Sequence, residues 1–266
     1  PPGCGKTTLA GVIANKFHVP FYKFIMPMAE RTLKRVVNEL SGIVLFDEIH
    51  RAPKKQQESL LTLIEDGYYQ PASGNRIPNH VTTYIAATTE RHKVIEPLYD
   101  RFNIKPEFEP YSDAEMGKIA FGMLTATDFQ RDDLPKYAFS LGLAAGGVPR
   151  NVAQMVTMAR DLEAAEVDPT IERVLHYCCT THDGLTEAHV KYLTILHKNN
   201  NALGLNMLAT HLQLAPASVL HLERLLFHRG WIDYAKASGR DLATLGHQRV
   251  QQLKGQPTQE RQQLWQ

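Results

Sequence analysis

The chain has 266 residues, is 43% hydrophobic and sets 29 Lys and Arg against 28 Asp and Glu. That is enough for two or three globular domains, and the near-neutral balance gives no sign of a polyanionic partner from the average alone. Three cysteines, Cys4 and the neighbours Cys178 and Cys179, are too few for a disulfide framework or a zinc site, and no apolar run approaches the roughly 20 residues of a membrane span, so a cytoplasmic location is expected.

The first stretch, PPGCGKTTLA, carries the last three places of a phosphate-binding loop in Gly5, Lys6 and Thr7. The loop's first glycine would lie before Pro1. The expectation is therefore that a strand and that glycine precede Pro1, and that the 266 residues alone bind nucleotide poorly. Leu9, Val12, Ile13 and Phe17 then recur at helical spacing; FYKFIM and IVLFDEI read as buried strands; QQESLLTLIEDG is a helix stopped by Gly67; VTTYIAATT is another strand. Strands alternating with helices predict a parallel sheet covered on both faces, over residues 1–111.

Strand patterns disappear from Ser112. Helical pieces run to about Thr181, the first opened by a capping box of Ser112 and Glu115, which predicts a small helical domain over 112–181. Three more helices follow, and WIDYAKASGRDLATL reads as a hairpin turning near Ser238 and Gly239. Helices followed by a hairpin outline a winged helix over 182–254, leaving 255–266 as a polar, glutamine-rich tail.

Gly3, Cys4 and Gly5 would close backbone N–H groups round phosphate oxygens at a helix start; Lys6 would neutralise phosphate charge, and Thr7 with Thr8 would complete the first turn. Asp47 and Glu48 end an apolar strand at the sheet's ligand edge. They suit a division of labour in which Thr7 and Asp47 hold Mg²⁺ and Glu48 polarises a water. A helix-capping turn and a solvated strand end are the bland alternatives to each motif. Their combination predicts a nucleoside-triphosphatase.

PPGCGKTTLA, VLFDEIHR, AATTE, PLYDRFNI and GGVPRNVA, in that order and followed by a winged helix, resemble the RuvB family of AAA+ ATPases. The resemblance implies a homo-hexameric ring that translocates double-stranded DNA and drives Holliday-junction branch migration, delivered by a RuvA-like partner. It implies Thr89 as the sensor 1 residue, Arg101 as an arginine finger acting on a neighbouring subunit, and Arg150 as sensor 2. It also makes Arg240, at the hairpin tip, a basic wing contact to DNA, with Lys236 and Arg224 as further phosphate contacts in a region, 184–266, that holds nine Lys or Arg against five Asp or Glu. Six of the twelve histidines lie there, His189, His197, His211, His221, His228 and His247, without metal-ligand spacing.

Two departures stand out. The interval GYYQPASGNRIPNHVTTYI is several residues shorter than the family's RuvA-docking hairpin, which weakens the expectation of a RuvA-like partner. Tyr99 replaces a basic residue beside the finger. A clamp-loader or origin-binding ATPase and a non-hydrolysing DNA-binding assembly module are the alternative readings.

Overall fold

The apolar run Ile43–Phe46 is buried at all four positions, which a strand reaches when both of its faces are covered. It is the middle strand of a three-stranded parallel sheet. The computed structural model describes residues 2–71, 74–199, 202–235 and 239–255, in two units, 1–109 and 110–266.

In the first unit α1 (Lys6–Lys16) leads to β1 (Phe21–Ile25), α2 (Glu30–Glu39), β2 (Ile43–Asp47), a 3-10 turn (Ile49–Arg51) and α3 (Lys54–Asp66). Then come β3 (Tyr68–Tyr69), β4 (Ile77–Pro78), β5 (Thr83–Ala86), a second 3-10 turn (Arg91–Lys93) and α4 (Glu96–Asp100). Sheet order is β1-β2-β5, with Phe46 opposite both Phe24 and Ala86, so the carboxyl ends of β2 and β5 lie side by side. Parallel strands need crossovers, and the chain supplies α2 between β1 and β2 and α3 between β2 and β5. Leu33, Val36, Leu60, Leu63 and Leu98 pack with Val44 and Phe46 into one core. Gly67 ends α3 at φ 70°, in the left-handed region that glycine enters without a Cβ penalty. The shortened interval after it holds an antiparallel pair of two residues a side, Tyr68 opposite Pro78 and Tyr69 opposite Ile77.

In the second unit α5 (Asp113–Thr125), α6 (Leu134–Ala144), α7 (Pro149–Ala164) and α8 (Ile171–Tyr177) surround a core that includes Met116, Tyr137, Leu141, Val152 and Leu175. Both halves of the expected capping box are present: Ser112 Oγ accepts from the Glu115 amide at 3.4 Å, and Glu115 Oε2 accepts from the Ser112 amide at 2.9 Å. The remaining elements are α9 (Glu187–Asn199), α10 (Leu205–Leu212), α11 (Pro216–His228), β6 (Ile232–Tyr234), β7 (Arg240–Leu242) and α12 (Thr244–Gly255). The hairpin is shorter than its sequence suggests. Pairing stops at Leu242 and α12 starts at Thr244, because Gly246 lets the chain turn tightly against β6: a Cβ there would lie 1.9 Å from the Trp231 carbonyl oxygen. The expected turn at Ser238 and the tail 256–266 lie outside the described residues.

The helical and winged parts of this unit are clasped together. Arg229, at the end of α11, donates to Asp113 Oδ2 at 2.7 Å and to the Leu143 carbonyl at 2.9 Å. Gly146 and Gly147 have φ of 61° and 76°, and a Cβ on Gly146 would come within 2.9 Å of Leu225 on α11. The two glycines of GGVPR thus serve a tight loop and a close approach.

His189, buried on α9, accepts at Nδ1 from the Thr186 amide at 3.1 Å. Burial pushes its pKa down from 6.5 to about 4. The unfolded chain therefore binds this proton more readily, so the contribution to stability is intact above pH 6.5 and is lost as pH falls through about 4. At about 1.4 kcal/mol per unit the full loss is on the order of 3 kcal/mol. Denaturant unfolding of wild type and His189→Gln at about pH 7 and pH 4 should show a smaller acid-induced loss in the variant; equal losses would remove His189 from the acid sensitivity.

Candidate functional site

A helix start with no acceptor of its own invites an anion. Gly5, which precedes α1, makes no side-chain cap, and no acidic residue occupies the first turn. Gly3 and Gly5 have φ of 78° and 89°, a curled backbone that a side chain would strain. Cys4 between them is buried, its Sγ 3.9 Å from the Pro2 carbonyl oxygen, so it fills the loop's interior. Lys6 and Thr7 open the helix, with Thr8 exposed after them.

The strand β2 delivers its acids to this loop. Thr7 Oγ1 donates to Asp47 Oδ2 at 3.2 Å, and Lys23 Nζ on β1 reaches the same oxygen at 2.9 Å. A hydroxyl and a carboxylate converging in this way are the hard oxygen donors that Mg²⁺ takes. No group of three or more His, Cys, Asp or Glu among the described residues could hold another metal ion.

Glu48 leaves the strand with φ 54° and ψ 45°, unusual for a residue with a side chain. The kink is held on its far side, where the Ile49 amide donates to the Ala87 carbonyl at 3.0 Å and Ile49 is buried. Its Oε2 accepts from Thr89 Oγ1 at 3.2 Å, so Thr89, just past β5, meets the carboxylate across the strand ends. Two neighbours were not foreseen in the sequence. His50 lies with Nδ1 3.2 Å from Glu48 Oε2, and Lys23 lies on Asp47. The DEIHR motif signalled the histidine, whereas nothing in FYKFI distinguishes Lys23 from a solvated strand residue.

Arg101 sits at the end of α4, half exposed, and pairs with Glu65 at 2.6 Å. Beside it the Tyr99 ring gathers two cations, Arg91 at 3.5 Å and Lys105 at 4.3 Å from its centroid. Tyr99 thus keeps basic groups close although it is not basic itself. Arg150 belongs to the second unit, exposed on the first turn of α7.

The expectation that Arg240 offers a basic tip to DNA is overturned. Arg240 is buried in the first position of β7, its Nε 2.9 Å and its Nη2 3.3 Å from the carboxylate oxygens of Glu223 on α11. Tyr192 completes the group, donating to Glu223 Oε1 at 3.0 Å. A guanidinium committed to a buried carboxylate closes the winged core rather than meeting phosphate. Arg224, one residue on from Glu223, is exposed on α11. Lys236 lies outside the described residues.

Comparisons with known proteins divide along the same lines. Residues 1–110 match the family model of the ATPase family associated with various cellular activities (AAA), and residues 182–251 match that of the RuvB C-terminal winged helix domain. The Holliday junction branch migration complex subunit RuvB of Levilactobacillus brevis is 31% identical over 272 residues, covering 94% of this chain and 79% of that one. Its counterpart in Oenococcus oeni is 34% identical over 230 residues, 80% of this chain and 68% of that one. That of Enterococcus faecalis is 34% identical over 186 residues, 66% of this chain and 54% of that one. A solved structure of the Thermotoga maritima RuvB Holliday junction branch migration motor superposes with a TM-score of 0.76 at 24% identity, over 94% of this chain and 85% of that one, and so shares the fold.

Proposed function

The chain belongs to the RuvB family, and from that membership we propose that it is the ATP-hydrolysing, DNA-translocating subunit of a branch migration motor acting on Holliday junctions. The observation that carries the reading is the pair of contacts joining three elements at the sheet's carboxyl edge, Thr7 to Asp47 and Thr89 to Glu48. The first supports a nucleotide-binding loop engaged with its acidic strand; the second supports a carboxylate aimed for work.

In this reading the amides of the loop and Lys6 bind the phosphates, Thr7 and Asp47 hold Mg²⁺, and Glu48 accepts a proton from the attacking water while Thr89 orients it. Bound there, Mg²⁺ would neutralise phosphate charge. Arg101 reaches a neighbouring subunit's nucleotide in a homo-hexameric ring, and Arg150 senses the γ-phosphate. Three domains, 1–111, 112–181 and 182–254, carry the ATPase core, the lid and the DNA contact. Among the described residues no helix is long and apolar enough to cross a membrane.

The short β3–β4 pair favours a specific variant of the reading, a motor with little dependence on a RuvA-like partner. A synthetic four-way junction with ATP tests both statements. The full-length protein alone should dissociate it into duplexes, and Lys6→Ala should not. Junctions left intact by the wild-type protein, with or without RuvA, would overturn the motor reading, and dissociation only on addition of RuvA would overturn the variant.

The DNA contact is tested by salt. Each phosphate neutralised releases counterions, so loss of one contact flattens the dependence of affinity on salt by about one unit. Arg224→Ala should do this on unrelated duplex sequences without loss of stability. Arg240→Ala should instead cost about 3–5 kcal/mol by leaving Glu223 buried without its cationic partner. Unchanged affinity and salt slope in Arg224→Ala would take that residue out of the DNA face.

A further inference from the structure

We propose that His50 is a positioning residue for Glu48, holding the carboxylate that activates water in the orientation the reaction needs. The inference rests on the ATPase reading and adds to it a residue to which that reading gives no role.

A carboxylate that takes a proton from water must be steadied by groups that leave one of its oxygens accessible. Glu48 is arranged in this way. Oε2 has two neighbours, Thr89 Oγ1 and His50 Nδ1, each at 3.2 Å, while Oε1 takes no hydrogen bond from the described residues. The backbone does not by itself hold this arrangement, because the left-handed conformation of Glu48 persists only where the surroundings enforce it.

His50 is itself immobilised, as a group that positions another must be. Its side chain is 5% exposed. Nδ1 lies 3.0 Å from Thr88 Oγ1 and Nε2 lies 3.2 Å from Glu90 Oε1. The ring therefore spans from Glu48 to the segment that follows β5, where Thr88 Oγ1 also accepts from the Glu90 amide at 3.0 Å and Glu90 pairs with Lys93 at 2.6 Å. Its place in the chain favours the same role, since it lies in the 3-10 turn directly after Glu48, beside buried Ile49.

The rival role is a structural pin, in which only the Nδ1 contact to Thr88 and the Nε2 contact to Glu90 matter, so that activity falls only as far as stability does. Thermal melting and two conservative variants separate them, since an Asn carboxamide reaches about where Nδ1 lies and a Gln carboxamide about where Nε2 lies. Steady-state ATPase rates, binding of the imido-bridged ATP analogue AMP-PNP and thermal melting would be measured for wild type, His50→Ala, His50→Asn and His50→Gln. A misplaced catalytic group costs on the order of 10²-fold. The expected result is a fall of that size in kcat for His50→Ala with AMP-PNP affinity unchanged, recovered in large part by His50→Asn and not by His50→Gln.

Recovery by His50→Gln as good as by His50→Asn, or losses that simply follow melting temperature, would make His50 a structural pin. Wild-type rates in all three variants would overturn the inference and leave the ATPase reading standing. No hydrolysis by the full-length wild-type protein would overturn both.

Discussion

Glu48→Gln is expected to abolish ATP turnover while leaving nucleotide binding intact. The amide is isosteric with the carboxylate and can still meet the Thr89 hydroxyl, which lies 3.2 Å from Oε2. What it cannot do is take a proton from water, a contribution on the order of 10²–10⁴ in rate. In the reading proposed above the phosphate contacts come from the loop and from Lys6, on other elements, so affinity should hold. The left-handed backbone at position 48 suits Gln as it suits Glu, so the fold should not suffer. Single-turnover hydrolysis and binding of labelled ATP measure the two halves separately. Equal hydrolysis rates in mutant and wild type would sink the assignment of Glu48 as the base.

Arg101→Ala should show a loss at least as large, and an unusual remedy. Fingers contribute about 10³–10⁵ in rate where they have been dissected in nucleotide hydrolases. In this chain Arg101 lies half exposed at the end of a short helix, bonded to Glu65 at 2.6 Å. An exposed pair of that kind contributes little to stability, so the side chain can leave Glu65 at small cost. If it acts on the next subunit, Arg101→Ala alone should be inactive, and adding Lys6→Ala subunits should restore part of the activity. The second mutant has a dead loop but an intact Arg101 to lend. Near-normal hydrolysis by Arg101→Ala would make the residue an ordinary surface charge, and failure of mixing to restore activity would place its action within its own subunit.

The ATPase core was readable from sequence because its signals are local. Short apolar runs ended by Gly67 or by Asp47 and Glu48 locate strands and helices whatever surrounds them. Ser112 and Glu115 announce a helix start for the same reason. What escaped was set by partners distant in the chain. Arg240 reads as a wing charge because the resemblance sets it at a hairpin tip, and only Glu223 and Tyr192, contributed by α11 and α9, reveal it as a core group. Lys23 looked like any strand lysine until the register with β2 brought it to Asp47. Helix α12 was hidden by Gly246, a residue that disfavours helices in general but is required here by the Trp231 carbonyl. His50 shows the opposite limit, since its motif was noticed while its partners at Thr88 and Glu90 could not be.

The clasp at Arg229 has a mechanical meaning. One side chain grips a carboxylate at the head of α5 and a carbonyl at the tail of α6, while Leu225, a turn earlier on α11, lies against the Gly146 backbone. Such a joint ties three elements at one point. In the motor proposed above, a rotation imposed on the helical part would carry the winged part with it, as along a lever rather than through a spring.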